Sequence, residues 1–408
     1  MKVNITPTKL HGTLQPPTSK SVAHRLIIAA GLTAGVSRLA QFDLSQDIQA
    51  TMDCMAALGA RFQGGEGMAW RVDGAFGREF DVLPELDCGE SGSTLRFLIP
   101  VALVLSGGGV FSGRGRLMER PQGPYETLLR SKGVRIERRD GKMIVEGRLS
   151  GGEYALPGDV SSQFITGLLF ALPLLQGDSV IRLTTPLESG GYVNLTIDVL
   201  NRAGIVVHPI EGGWRIPGGQ HYQLTNGVAE ADYSQAAFYL VAKGLGSAVD
   251  VWGLNPYSAQ GDKVILDYCR QLAQHGDVEL DVSQCPDLVP PLAVYGALRP
   301  GQITRIVGAT RLRMKESDRL DTVTTQLNRL GARIEQAADS LTIYGVESLC
   351  GGEVSGCGDH RIAMMLAIAA TCARGNVILD GAECVAKSYP HFWNDYGKLG
   401  GRMERMDA

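Results

Sequence analysis

The sequence predicts an α/β fold in two lobes, and three observations carry that expectation. At 408 residues the chain exceeds the size at which one hydrophobic core stops growing, so two or more domains are expected. One element recurs along it: an amphipathic helix closed by a glycine and followed by a short β-like run. Near residues 229–232 the Gly-rich, polar stretch EGGWRIPGGQHYQLTNG gives way to a helical pattern, which marks a hinge.

Six copies of the element are visible, ending in LGARF, KGVRI, AGIVV, HGDVEL, LGARI and LGGRM. Their glycines are Gly59, Gly133, Gly204, Gly276, Gly331 and Gly400, separated by 74, 71, 72, 55 and 69 residues. Apolar residues before them fall at helical spacing, as in Val323, Leu327 and Leu330 or Leu195, Val199 and Leu200. One such junction is ordinary, because glycine enters the left-handed region without a Cβ clash. Six at near-regular spacing predict six similar α/β units, divided into two groups of three.

Composition narrows the function. With 44% hydrophobic and 20% charged residues the chain has globular proportions, and no stretch has the apolar length of a membrane span. A net charge of −4 argues against a general nucleic-acid binder, so an anionic ligand must be held by a local basic cluster. The start MKVNITPTKL lacks an apolar core of the secretory type, which predicts a cytoplasmic protein. Eight cysteines show neither a CxxC pair nor zinc spacing, so reduced thiols are expected. Cys350, Cys357 and His360 lie close together, but no fourth ligand is evident and no metal site is expected.

Several segments place chemistry at helix starts. PPTSKSVAHRLIIAAGL predicts a helix from near Ser21, with Lys20, Ser21 and Arg25 in its first turn. Cations there oppose the helix dipole unless an anion occupies the site; surface charges are the alternative. CGESGSTLRFLIP leads a Gly-rich turn, including Gly92, into a helix carrying Arg96, and offers backbone N–H groups to an anion or simply makes a tight turn. GRGRLMERPQGP adds Arg114, Arg116 and Arg120. VSSQF supplies Ser161, Ser162 and Gln163, readable as hydrogen-bonding groups or as an N-cap. In CPDLVPPLAV, Asp287 is either a base or a cap. LRMKESDRL gathers Lys315, Glu316, Asp318 and Arg319, alternatively a solvated charge run. GCGDHRIAMM puts Asp359, His360 and Arg361 at the entrance to a buried helix, and AECVAKSYP carries Lys387.

In sequence order, SKSVAHR, ESGSTLR, ERPQG, SSQF, PD, RMKESDRL, DHRIAM and CVAKSYP resemble the signature segments of the 5-enolpyruvylshikimate-3-phosphate synthases, an enolpyruvyl transferase family. The resemblance runs from about Lys20 to Lys387. It implies a two-lobed inside-out α/β barrel of six βαβαββ-like units, three per lobe. The N-terminal lobe would span 15–228 and the C-terminal lobe 1–14 plus 229–408, with the active site in the cleft between them. The implied reaction moves the carboxyvinyl group of phosphoenolpyruvate to the 5-hydroxyl of shikimate 3-phosphate and releases phosphate, the sixth step of the shikimate pathway to chorismate. No metal or organic cofactor is implied, and a monomer is expected.

By matching positions, the resemblance assigns Lys20, Ser21, Arg25, Ser161, Ser162, Gln163, Ser189, Tyr192, Asp287 and Lys315 to shikimate 3-phosphate. It assigns Lys20, Gly92, Arg120, Gln163, Arg319, Arg361 and Lys387 to phosphoenolpyruvate. Asp287 and Glu316, assisted by Lys20, match the acid/base groups. Two positions depart from the family pattern: Glu90 stands where Asn is usual and Ser93 where Thr is usual. Gly92 matches the glyphosate-sensitive form. A UDP-N-acetylglucosamine enolpyruvyl transferase would carry Lys-Asn at the first helix and usually a loop cysteine; here the pair is Lys20-Ser21, and no cysteine lies between Cys88 and Cys269.

Overall fold

The computed structural model describes residues 1–65 and 68–406. The chain divides into two units, Lys20–Glu230 and Met1–Ser19 with Ala231–Ala408. Residues 15–19 belong to the second of these rather than to the helix that follows. The Asp232 N–H donates to the Pro17 carbonyl at 2.9 Å, and Thr18 bridges to Ala231.

The unit Lys20–Glu230 is built around three helices, Lys20–Leu32, Gly92–Leu105 and Ser162–Ala171, whose side chains are almost all buried. Beyond their polar N-terminal turns their sequences are apolar on every face, and such a helix is stable only when surrounded by protein. Gly167 lets two of them approach closely: a Cβ there would lie 2.4 Å from the Arg96 carbonyl oxygen. Three further helices, Gln46–Ala57, Gly123–Ser131 and Gly190–Arg202, are amphipathic and bury one side only.

Three four-stranded sheets complete the unit; two share one order along the chain, and the remaining one differs only in drawing its outer parallel strand from the unit's end. In the second, Glu85–Asp87 runs parallel to Gly108–Ser112, which pairs with the antiparallel hairpin Arg135–Arg139 and Lys142–Glu146. A parallel pair needs a crossover, and the buried helix Gly92–Leu105 supplies it. The hairpin turns at Asp140-Gly141, both with positive φ (51° and 73°), as a tight two-residue turn that follows strand twist requires. The first sheet is closed by the unit's own end, where Asn226–Gly227 lies parallel to Val36–Leu39.

The other unit repeats the plan around Tyr233–Gly244, Val289–Ala297 and His360–Ala370. Here the chain's beginning completes its end: Lys2–Thr6 lies between Val377–Asp380 and Arg402–Met406, with Val3 opposite both Leu379 and Arg405. Alternation along this strand buries Val3 and Ile5 completely.

All six repeat glycines have positive φ, from 76° at Gly204 to 109° at Gly276. Gly276 explains the short 55-residue spacing that follows it. After the helix Ile265–Leu272 the chain passes directly into Val278–Asp281, the first strand of the next sheet. Among the described residues the sheet of His11–Leu14 and Ala248–Val251 has two strands and no hairpin. Five units therefore carry the full four-stranded pattern and the remaining one a truncated form. Each unit encloses its own hydrophobic core, one including Ile27, Leu98 and Leu168, the other Phe238, Leu292 and Met365.

Candidate active site

Within Lys20–Glu230, the predicted site residues gather at the N-terminal ends of the buried helices. Lys20 opens its helix, and its Nζ donates to Asp47 Oδ2 at 2.6 Å. Arg25 lies in the second turn rather than the first, and is buried. Its Nε donates to Thr196 Oγ1 at 2.9 Å, Nη1 to the Ser21 carbonyl at 2.6 Å and Nη2 to the Tyr192 carbonyl at 2.8 Å. Ser189 precedes the helix Gly190–Arg202 in the left-handed region, φ 55° and ψ 41°, although it is not glycine. Such a conformation costs about 1–2 kcal/mol for an L-residue and is often retained where a side chain must be aimed.

Ser91 caps the helix Gly92–Leu105, accepting from the Thr94 N–H at 3.2 Å. Gly92 is where the absence of a side chain matters. A Cβ there would lie 2.8 Å from Arg120 Nη1 and 3.0 Å from its Cζ, so the guanidinium rests on the bare backbone. Arg96, on the next turn of the helix, donates to Gln163 Oε1 at 2.8 Å and to the Pro121 carbonyl at 3.0 Å. Gln163 in turn donates to Ser93 Oγ at 3.0 Å, and Ser161 accepts from the Gln163 N–H at 3.3 Å. Ser161 is thus the N-cap its sequence allowed and also part of this polar cluster. A hydrogen-bonded chain, from the His24 imidazole through the hydroxyls of Thr51, Thr94 and Ser91, links the Lys20 helix to the Gly92 turn. Burial, with Lys20 and Arg25 nearby, holds the His24 imidazole well below its ordinary pKa and therefore neutral. Helix N-termini, N–H groups and guanidinium groups in one place suit an anion. The Glu90 carboxylate lies over the backbone of Gly115, where a Cβ would lie 2.7 Å from Oε2.

The second unit holds a denser cluster. Asp287 lies in a short turn, Pro286–Leu288, before the helix Val289–Ala297, whose N-cap Leu288 makes no side-chain capping bond. Instead of capping, the Asp287 carboxylate meets three cations: Lys315 Nζ at 3.2 Å, Arg319 Nη1 at 2.8 Å and Arg361 Nη2 at 3.0 Å. Burial alone would push this carboxyl up, but Arg361, Lys315 and Arg319 together hold it well below the usual carboxylate range. Burial pulls the Lys315 ammonium down. Arg319, 1% exposed, also binds Glu316 Oε2 at 2.7 Å and Asp359 Oδ2 at 2.8 Å. KESDR is accordingly no solvated charge run, because its arginine is almost wholly covered. Lys387 donates to the Gly358 carbonyl at 2.7 Å, beside the start of the His360–Ala370 helix.

The structure brings in residues that sequence motifs alone did not single out as site groups. Asp359 is fully buried, caps its helix by accepting from the Arg361 N–H at 2.9 Å and holds Arg319. An aspartate immediately before a buried helix that carries arginine in its first turn was the available signal. Asp47, the partner of Lys20, had none: it comes from another helix, 27 residues away. Among the described residues no group of three or more His, Cys, Asp and Glu could hold a metal ion. A cavity of ≈ 800 Å³ in Lys20–Glu230, lined by Leu105, Arg148 and Leu175 among others, lies past the C-terminal end of Gly92–Leu105, away from these residues.

A family profile described as EPSP synthase (3-phosphoshikimate 1-carboxyvinyltransferase) matches residues 5–396. A Clostridium kluyveri protein named 3-phosphoshikimate 1-carboxyvinyltransferase is 42% identical over 426 residues, covering 100% of this chain and 99% of that protein. One of the same name from Clostridium perfringens is 44% identical over 424 residues, covering 99% of each. A solved EPSP synthase from Acinetobacter baumannii has the same fold, with a TM-score of 0.81 over 99% of both chains at 24% identity. The chain belongs to the EPSP synthase family.

Proposed function

We infer that this chain transfers the carboxyvinyl group of phosphoenolpyruvate to the 5-hydroxyl of shikimate 3-phosphate and releases phosphate. In our reading Lys20, Ser21, Arg25, Ser161, Ser162, Gln163, Ser189 and Tyr192 hold shikimate 3-phosphate, joined by Asp287 and Lys315. Lys20, Gly92, Arg120, Gln163, Arg319, Arg361 and Lys387 hold phosphoenolpyruvate. Each substrate draws on residues of both units, so neither unit catalyses alone.

Asp287 takes the 5-hydroxyl proton as that oxygen bonds to C2 of phosphoenolpyruvate, while Glu316 with Lys20 delivers a proton to C3. Loss of that C3 proton and of phosphate from the resulting tetrahedral adduct then restores the double bond. The observation that best supports this is the cation cluster on Asp287. Without substrate, Lys315, Arg319 and Arg361 keep the carboxylate a weak base. An arriving anion competes for the same cations, and each one drawn away raises the basicity of Asp287. The base is therefore strengthened when there is substrate to act on. Positive charge around the donor also offsets the negative charge of the departing phosphate.

We further propose a cytoplasmic monomer; among the described residues no helix is long and apolar enough to cross a membrane. The deciding experiment measures phosphate release from phosphoenolpyruvate with shikimate 3-phosphate and, separately, with UDP-N-acetylglucosamine as acceptor. Release with the first alone is expected. Release only with the second would overturn the assignment.

A further inference from the structure

Arg361 is held from behind as well as in front. Its Nη2 donates to Asp287 Oδ2 and, at 3.1 Å, to Ser234 Oγ. Ser234 Oγ is bonded in turn to Asp262 Oδ2. Donor bookkeeping sets the direction of this chain. A guanidinium nitrogen can only donate, so Ser234 accepts from Arg361, and its single hydroxyl proton is committed to the Asp262 carboxylate. Ser234, Asp262 and Arg361 are 6%, 4% and 5% exposed, so water does not substitute for these bonds.

Asp262 is otherwise hard to account for. It lies in the short turn Gly261–Val264, whose N-cap is Gln260, and it is bonded to a side chain of another helix. A carboxylate buried this deeply is destabilising unless paired or hydrogen-bonded, and an apolar side chain would serve packing better. Charged groups near it include Asp287, Arg361 and Asp232, with Cys285 close by. Burial, reinforced by Asp287 and opposed by Arg361, pushes the Asp262 carboxyl up to about 6.

We propose that Ser234 and Asp262 are a positioning pair that aims the Arg361 guanidinium at the phosphoenolpyruvate anion. The inference rests on the reading in which Arg361 binds phosphoenolpyruvate. As the guanidinium turns from Asp287 to that anion, the Ser234 contact is the one that persists. Asp262 keeps the hydroxyl oriented so that its lone pair always faces Arg361.

The test is steady-state kinetics of the full chain, varying each substrate in turn, with thermal melting of every variant. Ser234→Ala is expected to raise KM for phosphoenolpyruvate about tenfold, the loss of one hydrogen bond to a charged group. KM for shikimate 3-phosphate stays at the parent value, while the melting temperature falls, because the buried Asp262 carboxylate loses the Ser234 hydrogen bond. Ser234→Thr, which keeps the hydroxyl, restores phosphoenolpyruvate binding. Asp262→Asn raises the same KM while melting no lower than the parent at pH 8, an effect a purely structural role would not produce. In an Arg361→Ala background, Ser234→Ala adds less than about a twofold change, because the groups act as one unit. If Arg361→Ala weakens phosphoenolpyruvate binding but Ser234→Ala and Asp262→Asn do not, the pair is refuted and the functional reading stands. A full Ser234→Ala effect without Arg361 also refutes it. An inactive parent, or an Arg361→Ala variant with unchanged phosphoenolpyruvate KM, removes the functional reading and the pair with it.

Discussion

Gly92→Ala isolates the contact between a backbone and a guanidinium. The added Cβ would stand 2.8 Å from Arg120 Nη1, 3.0 Å from Cζ and 3.2 Å from Nη2. Non-bonded heavy atoms settle at about 3.5–4.0 Å, so the guanidinium must withdraw by roughly 0.5–1 Å. The obstructing atoms are the far end of a flexible side chain, and moving them leaves the helix Gly92–Leu105 intact. Folding should be unaffected. The cost falls on the ligand that Arg120 holds in our reading. A charge-assisted hydrogen bond stretched by that distance is largely lost, worth about 1.5–3 kcal/mol, or about 10- to 150-fold in affinity. Initial rates with phosphoenolpyruvate varied at saturating shikimate 3-phosphate should show that rise in KM, with KM for shikimate 3-phosphate changed by less than about twofold and an unaltered melting temperature. An unchanged phosphoenolpyruvate KM would refute the placement of Arg120 against this anion, and a large fall in melting temperature would refute the claim that only a side chain moves.

Other expectations follow from the same geometry. Asp287→Ala should retain substrate binding, measured by titration, while turnover falls at least about 10²-fold, the usual loss with a general base; parent-like turnover would remove Asp287 from the mechanism. Glyphosate should inhibit in competition with phosphoenolpyruvate, and no inhibition at millimolar levels would reject this. Ser189→Gly should stabilise the fold modestly by relieving a left-handed serine, while raising KM for shikimate 3-phosphate through loss of the hydroxyl; melting and kinetics read the two effects separately. The pH dependence of stability should carry contributions of opposite sign from three aspartates. Asp287 and Asp359 titrate below their unfolded values, so their stabilisation is present above about pH 4 and is lost as pH falls further. Asp262 titrates above its unfolded value, so its ionised form opposes folding at neutral pH, and this penalty fades as pH falls through about 6. Melting Asp262→Asn against the parent should show an advantage at pH 8 that shrinks toward pH 4; an equal difference at both would contradict that sign.

Much of the architecture was legible in the sequence because it is written in local chemistry. Each repeat glycine is needed where a helix ends in a left-handed residue, and all six occupy that region. Continuous apolar runs such as RIAMMLAIAA or LRFLIPVALVL, without a polar face, belong to helices with no exposed side. The missing hairpin after Gly276 was visible only as a short spacing, since a strand pair that is absent leaves no motif. Which end of the chain pairs with which strand was not local either: Lys2–Thr6 finds its neighbours some 370 residues away.

The candidate site divides along the same line. Residue types at helix starts marked Lys20, Gly92, Ser161, Asp287 and Arg361, because a cation or a bare backbone at a dipole's positive end calls for an anion. Partnership did not follow from type. The sequence by itself determined the six-unit α/β plan and the places where charge would collect. Only the tertiary structure decided that Asp287 is gripped by three cations, that Arg120 rests on Gly92, and that a buried aspartate stands behind Arg361. Those contacts join residues distant in sequence, and their energies depend on burial and on distances of a few ångströms that no local pattern encodes.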